Sequence, residues 1–153
     1  MTISEQIAKH FRDVHFGGNW TASNLQDKLS DLTWQQAIQQ VADLHSIATL
    51  VYHINYYVDA VYDVLQGKSL DAKDKYSFDC PPITCQQDWE ALQKKLWSDA
   101  KACAEQMAKL PDEKLFETFV DEKYGNYYRN LHGLIEHCHY HLGQISLIRS
   151  LLP

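Results

Sequence analysis

Hydrophobic residues recur every three or four positions over most of this chain, a spacing that places them on one face of an α-helix. The clearest such segment runs from about Leu44 to Leu65. Its apolar positions are Leu44, Ile47, Val51, Ile54, Val58, Val61 and Leu65. So narrow an apolar stripe is typical of a helix that packs in a bundle. No segment shows the persistent alternation of a β-strand, and no internal repeat is visible.

Two further helices are predicted before this segment. Thr2 and Glu5 have the spacing of a capping box, in which each side chain bonds a backbone N–H of the other residue. The first helix therefore starts at Thr2 and is broken within residues 16–19, which include two glycines. Thr33 is positioned to cap a short helix through Ala37 and Val41, and the alternative is that this stretch joins the next helix without a break at residues 43–46.

The second half of the chain predicts two more long helices. One starts at a second capping box, formed by Thr84 and Gln87, and is ended by Pro111, which cannot continue a helix. The other is capped by Asn126 and runs to about Leu151. The acidic and aromatic segment between them leaves room for a further helical turn.

Four long amphipathic helices predict an all-α fold, and specifically a four-helix bundle. The chain has 153 residues, so we expect a single domain over residues 1–153 that buries its core without disulfide bonds. Hydrophobic residues make up 45% of the sequence, which excludes a disordered chain.

Charge and hydropathy exclude two kinds of partner. The net charge is −6 and no Lys/Arg cluster is present, so we expect no nucleic-acid partner. No apolar run approaches the roughly 20 residues that span a bilayer, so we expect no membrane insertion. The first residues, Met1 to Glu5, lack the basic and apolar regions of a signal peptide. The expected location is therefore the cytoplasm.

Candidate chemistry lies with the eight histidines. His137 and His141 are the only pair spaced by four residues. Residues at that spacing lie on one face of a helix, close enough for both to bind one metal ion. The spacing alone fits a solvated or hydrogen-bonded pair as well.

Helix rotation of about 100° per residue separates the histidines of the last helix. His137 and His141 flank its apolar stripe on one side, whereas His132 and His139 fall on the other flank. A third ligand must therefore come from another helix. His53 lies on a flank of the second long helix, which suits a site between helices and fits partial exposure equally well.

Three other histidines are weaker candidates for the third ligand. His45 is near enough to a helix end to belong to a loop. His10 and His15 face the polar sides of the first helix or lie beyond its end. Geometry therefore favours His53 without proving it.

Two segments carry a resemblance to a known family. Residues 137–145 resemble the closing motif of the DinB/YfiT-like family, in which two histidines four apart precede a Gly-Gln pair. Residues 50–57 look like that family's earlier metal-histidine segment, and the resemblance covers essentially the whole chain. Residues 75–78 and 121–128 look most like an uncharacterised bacterial branch. Many members have two adjacent histidines followed by Arg, where this chain has Tyr140-His141-Leu142.

The resemblance implies a four-helix bundle, often dimeric, in which His53, His137 and His141 bind one divalent metal ion. Three neutral imidazoles suit zinc or nickel and leave at least one coordination position open, as in catalytic sites. Four residues within one or two helical turns of these histidines are candidates to orient the ligands or line the pocket. They are Tyr56, Tyr57, Asn130 and Gln144.

The resemblance also implies a class of activity. We expect a metal-dependent transferase that acts on a small-molecule substrate with a low-molecular-weight thiol as co-substrate, in a protein that forms a homodimer. Two alternatives stay open: metal-dependent hydrolysis of small amides or esters, and a non-catalytic metal-binding or stress-related bundle. No catalytic triad or phosphate loop is visible, and no residue is identified as the general acid or base.

Overall fold

Six α-helices and three short 3₁₀ turns make up the computed structural model, which describes residues 1–153. The helices are α1 (Ile3–Phe16), α2 (Leu25–Leu29), α3 (Trp34–Ile38), α4 (Ile47–Leu65), α5 (Gln86–Lys109) and α6 (Tyr127–Leu151). The 3₁₀ turns are Asp74–Tyr76, Asp112–Phe116 and Glu122–Tyr124. There is no β-strand, so the predicted all-α fold is confirmed.

The four long helices form a closed ring. Helix α1 packs against α5 and α6, and α4 packs against the same two helices from the other side. The apolar stripes meet in the middle of this ring. Large side chains with essentially no exposed surface there include Phe11, Ile54, Leu96, Met107 and Ile145. The arrangement is the predicted four-helix bundle, and it makes α4 and α6 neighbours. None of the helices is long and apolar enough to cross a membrane.

Two helix starts follow directly from local sequence signals. The N–H of Glu5 donates to Thr2 Oγ1 over 3.1 Å, and the N–H of Thr2 donates to Glu5 Oε2 over 2.7 Å. This reciprocal pair completes the predicted capping box of α1. Asn126 Oδ1 accepts from the N–H of Arg129 over 2.9 Å, as predicted for the start of α6. Side chains thus satisfy backbone donors that have no partner within the helix.

Two predicted boundaries near the start of α4 are wrong. Helix α3 ends at Ile38 rather than near Val41. Helix α4 begins at Ile47, because Ser46 acts as its N-cap and accepts a hydrogen bond from the third helical N–H. Leu44 therefore lies before the helix and is 41% exposed, although its spacing continues the apolar stripe.

The predicted capping box at the start of α5 is also wrong. The helix begins at Gln86 with Cys85 as its N-cap, so Thr84 lies one residue too early to cap it. Thr84 donates instead through its N–H and its hydroxyl to a carboxylate oxygen of Asp88, over 2.9 and 2.8 Å. Gln87 therefore takes no part in a reciprocal cap.

The segment between α4 and α5 folds back along the side of α4. The Tyr56 hydroxyl donates to the backbone carbonyl of Lys73 over 3.0 Å and accepts from the backbone N–H of Lys73 over 2.8 Å. The Tyr57 hydroxyl donates to a carboxylate oxygen of Asp74 over 2.7 Å. These bonds hold residues 74–78 beside the interface between α4 and α6.

Candidate metal centre

Three histidine side chains converge between α4 and α6. His53 comes from α4, and His137 and His141 come from successive turns of α6. One nitrogen from each ring lies within 4.8 Å of the other two. His53 and His141 are only 6% and 7% exposed, whereas His137 is half-buried. The structure therefore brings together the three residues that the sequence singled out.

The second ring nitrogen of two of these histidines is held by the protein. His53 Nδ1 lies 3.2 Å from the carbonyl oxygen of Ser77, and His141 Nδ1 lies 2.7 Å from Gln144 Oε1. Because each oxygen only accepts, both Nδ1 atoms carry hydrogen and both Nε2 atoms present a lone pair. Metal-ligating histidines are commonly oriented by this kind of bond.

His137 completes the set, and its Nε2 faces that of His53. Its Nε2 lies 3.0 Å from Nε2 of His53, and its Nδ1 is buried without a hydrogen-bond partner. Only a hydrogen on His137 Nε2, or a cation between the two Nε2 atoms, avoids opposing two lone pairs there, and Nδ1 stays without a partner in either case. Two nitrogens at tetrahedral zinc distances lie about 3.4 Å apart, close to the separation of these Nε2 atoms. The three residues fit a divalent ion.

Electrostatics keep all three imidazoles neutral near pH 7. Burial and the neighbouring His141 and His53 lower the pKa of His137 to about 3. Burial also lowers the pKa of His53 and of His141 below the ordinary histidine value. Neutral imidazole is the form that donates a lone pair to a metal, so the cluster needs no proton release to bind one.

Aromatic rings cover the histidines on the side of the α4–α5 segment. The Phe78 ring stacks on His53 with 3.8 Å between centroids, and it also stacks on His45 at 4.3 Å. The Tyr57 ring meets His53 and His137 edge-on, at 5.2 and 4.9 Å. These contacts restrict rotation of the imidazoles and exclude water from one side of the cluster.

The four candidate pocket residues occupy different places. Gln144 bonds His141, and Tyr57 touches two of the histidines. Asn130 lines a cavity next to the cluster, while its side-chain N–H groups donate to backbone carbonyls at the start of α6. Tyr56 bonds the backbone of Lys73 and touches none of the three rings.

The other histidines lie away from the cluster or beside it. His139 lines a separate cavity with His10 on the opposite side of α6, and the His132 ring packs on Tyr128. His45 lies in the loop before α4, because that helix begins at Ile47 rather than at Leu44.

The prediction for His15 is wrong. It lies within α1 and is fully buried, because it follows Phe11 by one helical turn on the face that packs into the core.

Sequence reasoning missed the contribution of the α4–α5 segment. Ser77 and Phe78 contact His53 directly, and Asp74 holds the Tyr57 hydroxyl. The family resemblance drew attention to residues 75–78. Because the segment is a loop without hydrophobic periodicity, its sequence does not predict which residues it contacts.

A cavity of about 330 Å³ adjoins the cluster at His137. It lies between α4, the last 3₁₀ turn and the first half of α6. Its lining is Tyr57, Val61, Lys123, Tyr124, Arg129, Asn130, Gly133, Leu134 and His137. A small molecule in this cavity would lie next to His137.

Comparison with known proteins identifies the family of this chain. A family model described as the DinB superfamily matches residues 19–145. The match covers most of the chain, and the protein therefore belongs to the DinB superfamily. No curated protein and no solved structure matches the chain.

Proposed function

We propose that the protein binds one divalent metal ion through His53, His137 and His141. We propose further that it is a metal-dependent transferase that uses a low-molecular-weight thiol. The observation that supports metal binding is the convergence of three neutral imidazole nitrogens from two helices. Zinc and nickel are the metals that suit such ligands, and three protein ligands leave a position for a further one.

Such an ion, when bound, would supply Lewis acidity that lowers the pKa of a coordinated thiol and polarises a substrate. The chain's own residues would orient and shield the site. The Ser77 carbonyl and Gln144 fix two imidazoles. Phe78 covers His53. The cavity beside His137 would admit the reacting molecule.

Outside the three histidines, Tyr57 has a titratable side chain that contacts both His53 and His137. Its hydroxyl donates to Asp74 over 2.7 Å, and burial together with this bond raises the pKa of Tyr57. The phenol therefore keeps its proton at neutral pH. Its role in the proposed site is to position the two imidazoles and to line the cavity.

The thiol part of the proposal rests on the family resemblance, which implies transferases that use small thiols. The open cavity next to His137 supports a reaction with a small molecule rather than a purely structural metal. Two alternatives to the transferase are hydrolysis of small esters or amides and a non-catalytic role. Assays of metal-dependent turnover with and without a thiol distinguish the three.

The ligand set is tested by comparing two histidine variants. His53→Ala should lower the affinity for Zn²⁺ by at least about 100-fold, since one of three ligands is lost. His45→Ala is the matched control, because His45 stacks on the same Phe78 ring without belonging to the cluster. Competition with a zinc-binding dye measures both. Unchanged affinity in His53→Ala, or equal loss in the two variants, would contradict the proposed ligands.

The reaction is tested on protein loaded with Zn²⁺ or Ni²⁺ and on metal-free protein. We expect metal-dependent conjugation when an electrophile is supplied together with a small thiol. Turnover of simple esters or amides without a thiol would favour the hydrolase instead. Metal binding without any turnover would favour the non-catalytic role.

The homodimer and the cytoplasmic location stay predictions. Light scattering on the purified protein tests the first, and a mass of one chain in solution would contradict it. Fractionation of the source cells tests the second.

A further inference from the structure

The cavity beside His137 has a charge opposite to that of the protein as a whole. The chain carries a net charge of −6. Among the cavity's nine lining residues, however, Lys123 and Arg129 are cationic and none is acidic. Val61 and Leu134 add apolar side chains to the same lining. The lining therefore favours a ligand that has an apolar body and a negatively charged end.

Arg129 is the free cation of this cavity. Its guanidinium makes no ion pair and no hydrogen bond within the chain, whereas Lys123 lies 4.0 Å from a carboxylate oxygen of Asp121. The Arg129 side chain lies against Gly125, which has a φ of +77°. A Cβ there would come within 3.2 Å of Arg129 Cδ. The absence of a side chain at Gly125 thus leaves room for the aliphatic part of Arg129. The guanidinium stays available to a ligand.

Arg129 and His137 lie on one line along α6. Arg129, Gly133 and His137 are each four residues apart and share one face of the helix. Their separation along the helix axis is about 12 Å, from a rise of 1.5 Å per residue. Gly133 leaves the space between them open, since no atom lies within 4 Å of the position where its Cβ would stand.

We infer that this cavity binds a small molecule with a terminal carboxylate on Arg129 and directs its other end to the histidine cluster. A guanidinium pairs with a carboxylate through two parallel hydrogen bonds. One unpaired cation matches a singly charged carboxylate better than a doubly charged phosphate. The inference deepens the proposed function. Only the contact between the uncharged end of the ligand and the metal site rests on that function, whereas carboxylate binding by Arg129 does not.

The first test uses metal-free protein, so it does not depend on the proposed metal site. Hexanoate and 1-hexanol have the same apolar body and differ in charge. Hexanoate should shift the backbone amide NMR signals of Arg129 and Gly133, and it should bind about tenfold tighter than 1-hexanol. Arg129→Gln should remove that preference. Equal binding of both probes, or a preference that survives in Arg129→Gln, would overturn the inference.

Two glycines of α6 supply a matched pair of variants. Gly133→Leu fills the cavity, whereas Gly143→Leu adds the same side chain on the exposed side of the helix, where no atom lies within 4 Å either. Both replacements remove a helical glycine, so their effects on helix stability are alike. Gly133→Leu should abolish hexanoate binding and Gly143→Leu should retain it. Retention in both variants would contradict the assignment of the cavity.

A second measurement tests whether the other end of the ligand reaches the histidine cluster. Co²⁺-loaded protein is titrated with 6-mercaptohexanoate and with 6-mercaptohexanol, and the visible spectrum reports sulfur coordination. The acid should bind about tenfold tighter than the alcohol in the wild type and no tighter in Arg129→Gln. Protein that takes up no Co²⁺ would contradict the proposed function, while the hexanoate titration would still decide the inference. Co²⁺ uptake without a preference for the acid would contradict the inference alone.

Discussion

His15 and the cluster of His53, His137 and His141 are both buried histidine sites, and they differ in where their nitrogens point. His15 lies in the core beside Phe11, with 4.5 Å between ring centroids. Its Nδ1 bonds the Phe11 carbonyl over 2.8 Å, and its Nε2 is buried without a partner. The nitrogens of the cluster meet one another and adjoin a cavity.

Burial acts on both sites in the same way. It is the main cause that lowers the pKa of His15 to about 4 and that of His137 to about 3. A lowered histidine pKa is therefore no mark of a metal site. The distinguishing feature is the convergence of lone pairs from two helices, with the second nitrogens held by Ser77 and Gln144.

The largest expected difference between the two sites is their response to metal. Zn²⁺ at about 100 times its dissociation constant should stabilise the wild type by about 2.7 kcal/mol, because it binds only the folded chain. His141→Ala should lose this gain and His15→Leu should keep it. Urea unfolding with and without Zn²⁺ measures the gain. An equal gain in His141→Ala and the wild type would show that zinc binds elsewhere.

The next prediction concerns acid. The pKa of His15 in the folded chain is about 4, below the ordinary 6.5 of the unfolded chain. The unfolded chain therefore binds more protons between pH 6.5 and 4, and stability falls as the pH falls through this window. His15 alone should cost about 2.5 kcal/mol at pH 4.5 relative to pH 7.

The measurement for this prediction is urea unfolding of His15→Leu at the two pH values. The variant should lose less stability on acidification than the wild type by that amount. His10→Gln is the control, since His10 lies on the exposed side of α1. The prediction fails if His15→Leu and the wild type lose equal stability.

The hydrogen bond between Gln144 and His141 Nδ1 is the next feature that distinguishes the cluster from His15. Gln144→Ala removes the acceptor that orients His141, so zinc affinity should fall by about 10- to 100-fold. Gln144→Glu keeps an acceptor and should restore most of it. Dye competition measures both variants, and equal losses in the two would mean that the bond to Nδ1 is not what matters.

The smallest expected effect is that of Phe78. Its ring stacks on His53, and Phe78→Ala should destabilise the fold by about 1 kcal/mol through loss of that stacking. Zinc affinity should decrease only slightly, because all three nitrogens remain. Phe116→Ala is the matched control, as Phe116 is 66% exposed. Thermal unfolding measures the stability of the two variants, and Phe78→Ala should be the less stable. Equal stability of the two variants would contradict a stabilising contact between Phe78 and His53.

The sequence predicts the parts of this protein that depend on local spacing. The capping box of Thr2 and the cap at Asn126 are read from residues three apart, and helix rotation separates His139 from His137. The choice of His53 needed the family resemblance, since a flank position fits an exposed histidine equally well.

The contact of the α4–α5 segment with the cluster was missed because it is a tertiary contact. Phe78 reaches His53 only because Tyr56 and Tyr57 bond residues 73 and 74 and hold the loop against α4. The burial of His15 is different, because His15 follows Ile7 and Phe11 in steps of four residues and so lies on the apolar face of α1. Periodicity predicts that position, whereas it contains no information on the contact between Phe78 and His53.

The metal content of two α6 variants tests the central claim most directly. His137 and His139 are two residues apart on the same helix, and only His137 belongs to the cluster. Elemental analysis after dialysis should find about one divalent ion per chain in the wild type and in His139→Ala, and almost none in His137→Ala. No ion in the wild type, or an ion retained by His137→Ala, would contradict the claim that the cluster is a metal site.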